Sequence, residues 1–293
     1  MANKSDASIA QPLKEIRVRR DPIGERLAQF PWWLLAIILI AVWAAYIILS
    51  REDFLQAFNT IKLGLSITIS TTLYAYSIAL VIGLITGLGR ISRNVVIRNM
   101  ATLYVELIRG VPILVLIFYI ALVLVPGVVE SIQLYGESLV ANGNSTIGPI
   151  LASISNKFFS MNVRAIIALS VTYGAFMAEI FRAGIQSIGR GQMEAARSLG
   201  MSYAQSMRYI ILPQAIRNVL PALGNDFIAM VKDSSLVSVL AVRDITQVAK
   251  LYSGRTFRFR EAYSTLAALY LTMTLLLSLA LKWVERRLQR NGE

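Results

Sequence analysis

Two residue types of wide chemical use are absent, because the 293-residue sequence contains no cysteine and no histidine. Their absence excludes disulfides, thiol nucleophiles, zinc sites built on Cys or His, haem held by either residue, and acid–base catalysis by histidine. Charge is also scarce: Asp, Glu, Lys and Arg make up 16% of the chain, against about 25% in soluble proteins. The composition therefore disfavours a water-soluble enzyme.

Apolar residues are abundant instead, at 56% of the chain with a mean hydropathy of +0.59. They gather into stretches of about 20 residues, the length that a helix needs to cross a bilayer. An all-α integral membrane protein is therefore predicted. Its six predicted spans are residues 32–49, 63–88, 101–126, 165–185, 219–242 and 262–283.

The placement of positive charge predicts the orientation of these spans. The net charge is +12, from 29 Lys and Arg residues and 17 Asp and Glu residues. Basic residues are concentrated in residues 1–30, after the second and fourth spans, and at the C-terminus. An even number of spans places these segments on one side, which the positive-inside rule assigns to the cytoplasm. The charge thus needs no nucleic-acid partner, and residues 1–30 and 286–293 are predicted to be cytoplasmic tails.

Both longer connections on the outer side are unusual. Residues 127–160 form a connection longer than most loops, which is predicted to be either functional or loosely ordered. The connection between the fifth and sixth spans runs against the positive-inside rule, because it is rich in basic residues that would lie outside: Arg243, Lys250, Arg255, Arg258 and Arg260.

A polar segment between the fourth and fifth spans is predicted to form a short helical hairpin on the cytoplasmic face. Residues 192–199 favour helix, and Gly200 can adopt the left-handed conformation that ends one. Ser202 followed by Gln205 is a capping-box start for a second helix, which Pro213 is expected to interrupt. The small residues of the hairpin would let another protein approach closely. By local physics alone, an amphipathic hairpin lying among lipid headgroups fits equally well.

The hairpin resembles the EAA motif of permease subunits of bacterial ABC importers, with the same spacing of its parts: Glu194, Ala195, Ala196, then Gly200, then Ile210-x-Leu212-Pro213. Four flanking stretches resemble the branch that imports polar amino acids, at residues 106–112, 179–188, 212–217 and 232–236. The resemblance covers roughly residues 57–285, the expected permease core, and residues 31–56 are expected to be an additional first transmembrane helix. Departures are small, with Val111 and Ser234 where the family more often has threonine.

The resemblance implies the type I ABC importer fold, in which the hairpin is a coupling helix docked on a separate ATP-hydrolysing subunit. The expected coupling residues are Glu194, Ala195, Ala196, Arg197 and Gly200. The implied partners are two ATP-binding subunits, a second permease that is identical or related, and an extracytoplasmic solute-binding protein, all at the bacterial inner membrane. The chain has no G-x-x-x-x-G-K-[ST] sequence, so it is not expected to be an enzyme. No cofactor is expected in this chain, since ATP and magnesium would bind the partner.

Charged residues at membrane depth are costly and mark candidate sites. Asp226 and Asp233 are seven residues apart, close to two helical turns, so both carboxylates project from one face about 10 Å apart. The pair suits the ammonium group of an amino acid, and the corresponding positions in the resembling family help to form a substrate site. Glu179 and Lys232 are candidates for the same pathway or for a pair with each other. For all four residues the alternative is an internal ion-pair network that fixes helix packing.

Two other classes of function stay open. An ion-coupled secondary transporter would use Asp226 and Asp233 to bind Na⁺ or a proton, but it leaves the hairpin without a purpose. The hydropathy also shows no inverted repeat, a feature of many such transporters. A membrane-integrated enzyme would have only carboxylates and hydroxyls for its chemistry. Among amino acids, the acidic residues of this candidate site favour basic or broadly polar substrates. The positive charge of nearby Lys232 makes this indication weaker.

Overall fold

The computed structural model of the chain describes residues 32–143 and 146–290, and every regular element in these ranges is helical. The predicted N-terminal tail, residues 1–30, lies outside the described residues, as do residues 291–293 of the predicted C-terminal tail. The chain divides into two compact units, of which the first ends at Trp43 and the second begins at Ala44. Apart from residues 32–43 of the first helix, the features described below belong to the second unit.

Thirteen helices are described within residues 32–143 and 146–290: α1 Trp32–Ser50, α2 Glu52–Ile61, α3 Leu65–Arg90, α4 Val95–Arg109, α5 Ile113–Tyr119, α6 Val125–Ala141, α7 Ile147–Ser153, α8 Met161–Gln186, α9 Arg190–Ser198, α10 Tyr203–Ser206, α11 Leu212–Asp233, α12 Ile245–Thr256 and α13 Phe259–Arg290. Short 3₁₀ segments lie at Lys62–Gly64, Asn156–Phe158 and Ser234–Leu240. π-helical turns lie at Ile120–Leu124 and Met207–Ile211.

The predicted spans correspond to long helices. Five helical stretches are long and apolar enough to cross a membrane, namely Trp32–Ser50, Glu52–Arg90, Ile113–Ala141, Met161–Gln186 and Phe259–Arg287. The remaining predicted span is α11, whose 22 residues extend about 33 Å. Its charged residues lower its hydropathy, but it packs against both α8 and α13 within the bundle.

The predicted bounds of the third span, residues 101–126, are wrong. The chain turns after α4, where Pro112 precedes α5 with extended backbone angles. Proline lacks an N–H group and disfavours helical angles at the residue before it, so a helix ends there readily. Pro126 does not end the span, because it sits in the first turn of α6, where its missing N–H group costs nothing. The span therefore continues to Ala141, and much of the predicted loop at residues 127–160 is helical.

Helices α3 and α8 pack in parallel along almost their full length. At one end the Thr71 hydroxyl donates to the Asn162 side chain, and at the other Arg90 pairs with Glu179. Between these points the backbones approach closely at glycines: a Cβ atom at Gly83 would lie 2.6 Å from the Met177 Cβ atom. Small residues allow such contacts, which replace the hydrophobic effect as the source of helix association in lipid.

The remaining long helices define two ends of the bundle. Helix α11 starts beside α9 and α10 and runs antiparallel to α8, with Val219 close to Gly184. Helix α13 returns antiparallel to α11, with Leu281 close to Gly224. We call the end that carries α9 and α10 the hairpin end. At the opposite end, here called the far end, α2, α12 and the start of α13 share an apolar cluster that includes Ile61 and Ile245.

Asp244 fixes α12 at the far end. Its side chain is 1% exposed and accepts a hydrogen bond from the Gln247 N–H group at 2.9 Å, which caps the helix. Its backbone packs on Gly64, where a Cβ atom would lie 2.7 Å from the Asp244 carbonyl oxygen. Burial raises the pKa of the Asp244 carboxyl from 3.8 to about 6, although hydrogen bonds from the first turn of α12 oppose the shift.

This raised pKa makes stability depend on pH. The folded protein favours the neutral carboxyl, so the stabilisation is fully present below pH 3.8 and is lost as the pH rises through about 6. We expect the unfolding temperature in detergent to fall between about pH 3 and about pH 7, with a total loss of up to about 3 kcal/mol. Asp244→Asn should remove most of this fall, because Asn caps the helix without titrating. Asp53→Asn, at an exposed carboxylate, is the control; an unchanged pH dependence in Asp244→Asn would contradict the account.

Candidate functional site

The hairpin has the turn that its sequence predicts. Helix α9 ends at Gly200, whose φ of +84° lies in the left-handed region. The Gly200 N–H group donates to the Arg197 carbonyl at 3.0 Å, and the Met201 N–H group donates to the Ala196 carbonyl at 3.2 Å. This pair of bonds is a Schellman motif, which satisfies the last carbonyls of the helix. The Arg197 guanidinium also donates to the Met201 carbonyl at 2.9 Å, which closes the turn from outside.

The second arm of the hairpin starts as predicted but does not end as predicted. Ser202 and Gln205 form both hydrogen bonds of a capping box at the start of α10. Pro213 was expected to interrupt this helix, and that expectation is wrong. The π-helical turn at Met207–Ile211 comes just before Pro213, which lies in the first turn of α11. The wider turn absorbs the missing N–H group, so the chain continues into α11 without a loop.

One face of the hairpin packs on the bundle and the other is open. Ala196 is buried, whereas Glu194, Ala195 and Arg197 are exposed. Leu199 next to the turn is 83% exposed, an unusual position for a large apolar side chain. Leu199 is not among the predicted coupling residues, although an apolar residue beside a predicted turn glycine is a usable signal. An exposed surface of small and apolar residues on a fixed turn is suited to contact with another protein.

Polar side chains add two contacts to the apolar packing that holds the hairpin on the bundle. The Arg93 guanidinium lies over the Tyr203 ring, 5.6 Å from its centroid, and joins the hairpin to the connection between α3 and α4. The Gln214 amide group in α11 donates to the Ile210 carbonyl at 2.9 Å and reaches the Gln192 side chain at 3.5 Å. The hairpin is therefore joined directly to the start of α11.

The two carboxylates of α11 face a pair of tyrosines inside the bundle. The Tyr173 hydroxyl of α8 donates to Asp233 at 2.8 Å. Asp226 is close enough to the Tyr76 and Tyr173 hydroxyls to interact electrostatically with both. The Tyr76 ring in turn stacks edge-on against Phe227, with 4.9 Å between the centroids. No pattern in the sequence identifies these tyrosines.

No basic side chain neutralises these carboxylates in the described part of the chain. Within it, neither Asp226 nor Asp233 has a Lys or Arg nitrogen within 4.0 Å. One oxygen of Asp226 is buried and has no hydrogen-bond partner in the same ranges. Lys232 is exposed and, among the described residues, forms no ion pair. The site therefore holds two carboxyl groups without a basic partner among the described residues, and a positively charged group could pair with them.

Glu179 lies elsewhere, in a cluster of arginines toward the hairpin end. It pairs with Arg90 of α3 and Arg182 of α8, and the Arg109 guanidinium of α4 lies 3.9 Å from it. The suggested pair between Glu179 and Lys232 is not formed. Because α11 runs antiparallel to α8, Lys232 lies toward the far end of the bundle and Glu179 toward the hairpin end.

Glu106 and Arg109 of α4 both take part in this cluster. Glu106 lies 3.6 Å from Arg90 and is 67% exposed at its side chain. The charges alternate between helices, so the cluster ties α3, α4 and α8 together. In residues 32–143 and 146–290, no group of three or more acidic side chains could hold a metal ion.

The sequence and the fold both match known transport proteins. Residues 79–290 match the family described as binding-protein-dependent transport system inner membrane component. The chain is 34% identical to the probable amino-acid permease protein YxeN of Bacillus subtilis, over 82% of this chain and 96% of that protein. It is 32% identical to the glutamine transport system permease protein GlnP of Escherichia coli K12, over 77% of this chain and 91% of that protein.

A crystal structure of an amino acid ABC transporter with histidines has a chain of the same fold. It is 37% identical, with a TM-score of 0.64, over 82% of this chain and 97% of that chain. The protein described here belongs to the family of binding-protein-dependent transport system inner membrane components. The predicted all-α fold of a type I ABC importer permease is confirmed.

The arginine cluster makes a prediction about stability. Glu179→Gln leaves Arg90, with a side chain only 12% exposed, without its main carboxylate. We expect a loss of about 1–3 kcal/mol, because a largely buried charge loses its partner. Glu106→Gln, the matched control, should cost less than about 1 kcal/mol, because Glu106 is exposed and its contact is long. Thermal unfolding in detergent measures the loss of stability in both variants. Equal losses would contradict the conclusion that Glu179 is the main partner of the arginines.

Proposed function

We propose that this chain is the transmembrane permease subunit of an ATP-driven ABC importer, which carries polar amino acids across the bacterial inner membrane by alternating access. The hairpin carries the proposal, because it is an exposed turn, fixed to the bundle and joined directly to the helix that bears the interior carboxylates. The names of the relatives, which include amino-acid and glutamine permeases, support the substrate class. The same relatives offer no support for ion-coupled transport.

In this proposal the hairpin docks on one of two separate ATP-binding subunits, which hold the ATP and magnesium. Glu194, Ala195, Arg197 and Gly200 form the docking turn, and Ala196 anchors it to the bundle. Leu199 adds an apolar contact to this surface. A second permease subunit, identical or related, completes the translocation path, and an extracytoplasmic solute-binding protein delivers the amino acid at the far end.

The hairpin end faces the cytoplasm in this proposal, together with both chain termini. The concentration of basic residues supports this orientation, because the hairpin and the nearby connection between α3 and α4 are rich in arginine: Arg90, Arg93, Arg98, Arg190, Arg197 and Arg208. The far end, with α2 and α12, then faces outward. Movement of the hairpins on ATP binding would switch α11 between access to the two sides.

The substrate passes Asp226 and Asp233. Their unopposed charge and the nearby Tyr173 hydroxyl offer acceptors and a donor to the ammonium and carboxylate groups of an amino acid. Glu179 has its charge matched by arginines, so we assign it to packing at the inner end of the path. Lys232 is exposed and adjacent in sequence to Asp233, where it would meet the second permease or the path itself.

The turn at Gly200 provides a direct test of coupling. Gly200→Asp places a side chain at a left-handed residue, which costs about 1–2 kcal/mol and distorts the turn. We expect the ATP-binding subunit that co-purifies with tagged wild-type protein to fall by about tenfold or more. The permease itself should keep its elution volume, and its unfolding temperature should fall by only a few degrees.

Gly189→Asp is the matched control. It adds the same side chain at the N-cap of α9, where φ is −56° and Asp is favoured. Co-purification should then stay near wild type. If Gly200→Asp also retains its ATP-binding subunit, the hairpin is not the coupling element. If wild-type protein brings no such subunit in mild detergent, the proposed function itself fails.

The carboxylates are tested by transport. Asp226→Asn and Asp233→Asn should each lower ATP-dependent uptake by about tenfold or more, because a charged hydrogen bond to the substrate is lost. Basal ATP hydrolysis and thermal stability should change little, and Asp226→Glu should recover part of the uptake. Parallel losses of stability and uptake would instead assign both carboxylates to helix packing.

A further inference from the structure

The far end carries positive charge that the proposed topology leaves unexplained. Five basic residues lie between the end of α11 and the start of α13, in a connection that faces outward: Arg243, Lys250, Arg255, Arg258 and Arg260. Basic residues in short outer connections oppose the orientation of the neighbouring spans. Their presence therefore calls for a specific use.

Two of these residues have partners within the chain. The Arg258 guanidinium lies 3.0 Å from the Asp53 carboxylate and donates to the Gln56 side chain of α2 at 2.9 Å. The Arg260 guanidinium pairs with the adjacent Glu261 at 2.9 Å. The Arg258 contacts attach the connection to α2. The Arg260–Glu261 pair lies within the first turn of α13.

The other three have no carboxylate partner among the described residues. Arg243, Lys250 and Arg255 are exposed, and none of them forms an ion pair in those ranges. On α12 the buried residues Ile245 and Ala249 face the apolar cluster of the far end. Lys250 and Arg255 lie on the opposite half of the helix, about 7.5 Å apart along its axis, so their charge points away from the bundle.

An exposed aromatic residue lies next to this charge. Phe257 ends α12 with a φ of +56°, and its side chain is 80% exposed. A left-handed conformation costs a bulky residue about 1–2 kcal/mol, so the surrounding structure must hold it. It is held by the bond from the Phe257 N–H group to the Ser253 carbonyl at 2.8 Å, by stacking on Phe259, and by the fixed position of Arg258.

We propose that Arg243, Lys250, Arg255 and Phe257, together the outer basic surface, form the docking surface for an acidic face of the extracytoplasmic solute-binding protein. This inference rests on the proposed function. The three unpaired charges are available to a partner of opposite sign, and charge complementarity sets encounter rate and orientation. Phe257 supplies the apolar contact at the edge of the charged face.

A protein fits this surface better than lipid headgroups do. Aromatic and arginine side chains held rigidly before binding are typical of the residues that dominate protein interfaces. A mobile Phe side chain can insert into a lipid surface equally well. Binding to lipid therefore does not explain why Phe257 is held in a strained backbone conformation. The paired Arg258 fixes the strained residue in place, which lowers the entropy cost of binding a protein partner.

The test uses the complete transporter in nanodiscs of neutral phosphatidylcholine. The probe is the purified amino-acid-binding protein encoded with this chain, titrated while ATP hydrolysis is followed. The triple variant Arg243→Glu, Lys250→Glu, Arg255→Glu should raise the concentration for half-maximal stimulation by about tenfold or more. Basal hydrolysis should be unchanged, and added salt should weaken stimulation of wild type more than that of the variant.

The matched control keeps the charge at every position: Arg243→Lys, Lys250→Arg, Arg255→Lys. Its half-maximal concentration should stay within about twofold of wild type. A charge-reversed variant that also stays within about twofold would overturn the proposal, as would an effect seen only when phosphatidylglycerol is added, which would assign the surface to anionic lipid. If the binding protein does not stimulate even wild type, the proposed function fails with it.

A second measurement does not depend on the folding of the triple variant. Because the chain has no cysteine, Phe257→Cys introduces its single thiol. Saturating binding protein should slow alkylation of this thiol by a water-soluble maleimide by about tenfold or more, through burial at the interface. Phe158→Cys, at another exposed apolar residue of the far end, reports general shielding. Equal protection at both positions, or none at 257, would contradict a specific role for Phe257.

Discussion

The close packing of α3 along α8 is the constraint on which the rest of the molecule depends. Gly83 and Gly174 bring the two backbones together at distances that no side chain could share. In lipid, where burial of apolar surface gives little drive, such contacts decide which helices associate. This pairing brings Tyr76 and Tyr173 to the same side of α11 and sets Arg90 against Glu179. Both the interior site and the arginine cluster follow from it.

The two groups of charge differ in how they are compensated. Near the hairpin end, Glu179 is surrounded by arginines from three helices, an arrangement that resists separation because each charge would lose its partner. Deeper in the bundle, Asp226 and Asp233 have no Lys or Arg partner among the described residues, and Asp233 accepts a hydrogen bond from the Tyr173 hydroxyl. In the proposed transport cycle this contrast separates a fixed tie between helices from a site that exchanges its occupant.

Local signals predicted the local structure well. The Schellman turn at Gly200 and the capping box at Ser202 depend on residues within a few positions, and both are present. The prolines were harder, because Pro213 and Pro126 follow π-helical turns that no propensity scale describes. The pair between Glu179 and Lys232 was wrong because it required knowledge of the antiparallel arrangement of α8 and α11. Tyr76 and Tyr173 could not be identified from the sequence either, because their place beside the carboxylates depends on how α3 and α8 pack against α11.

The central claim is that ATP, rather than an ion gradient, drives import through this chain. Its most direct test is uptake of radiolabelled arginine and glutamine into proteoliposomes that contain the complete transporter and the binding protein outside. ATP is enclosed within, and ionophores collapse the sodium and proton gradients. The account predicts uptake that requires ATP and survives the ionophores. Uptake that continues without ATP and disappears with the gradients would contradict it.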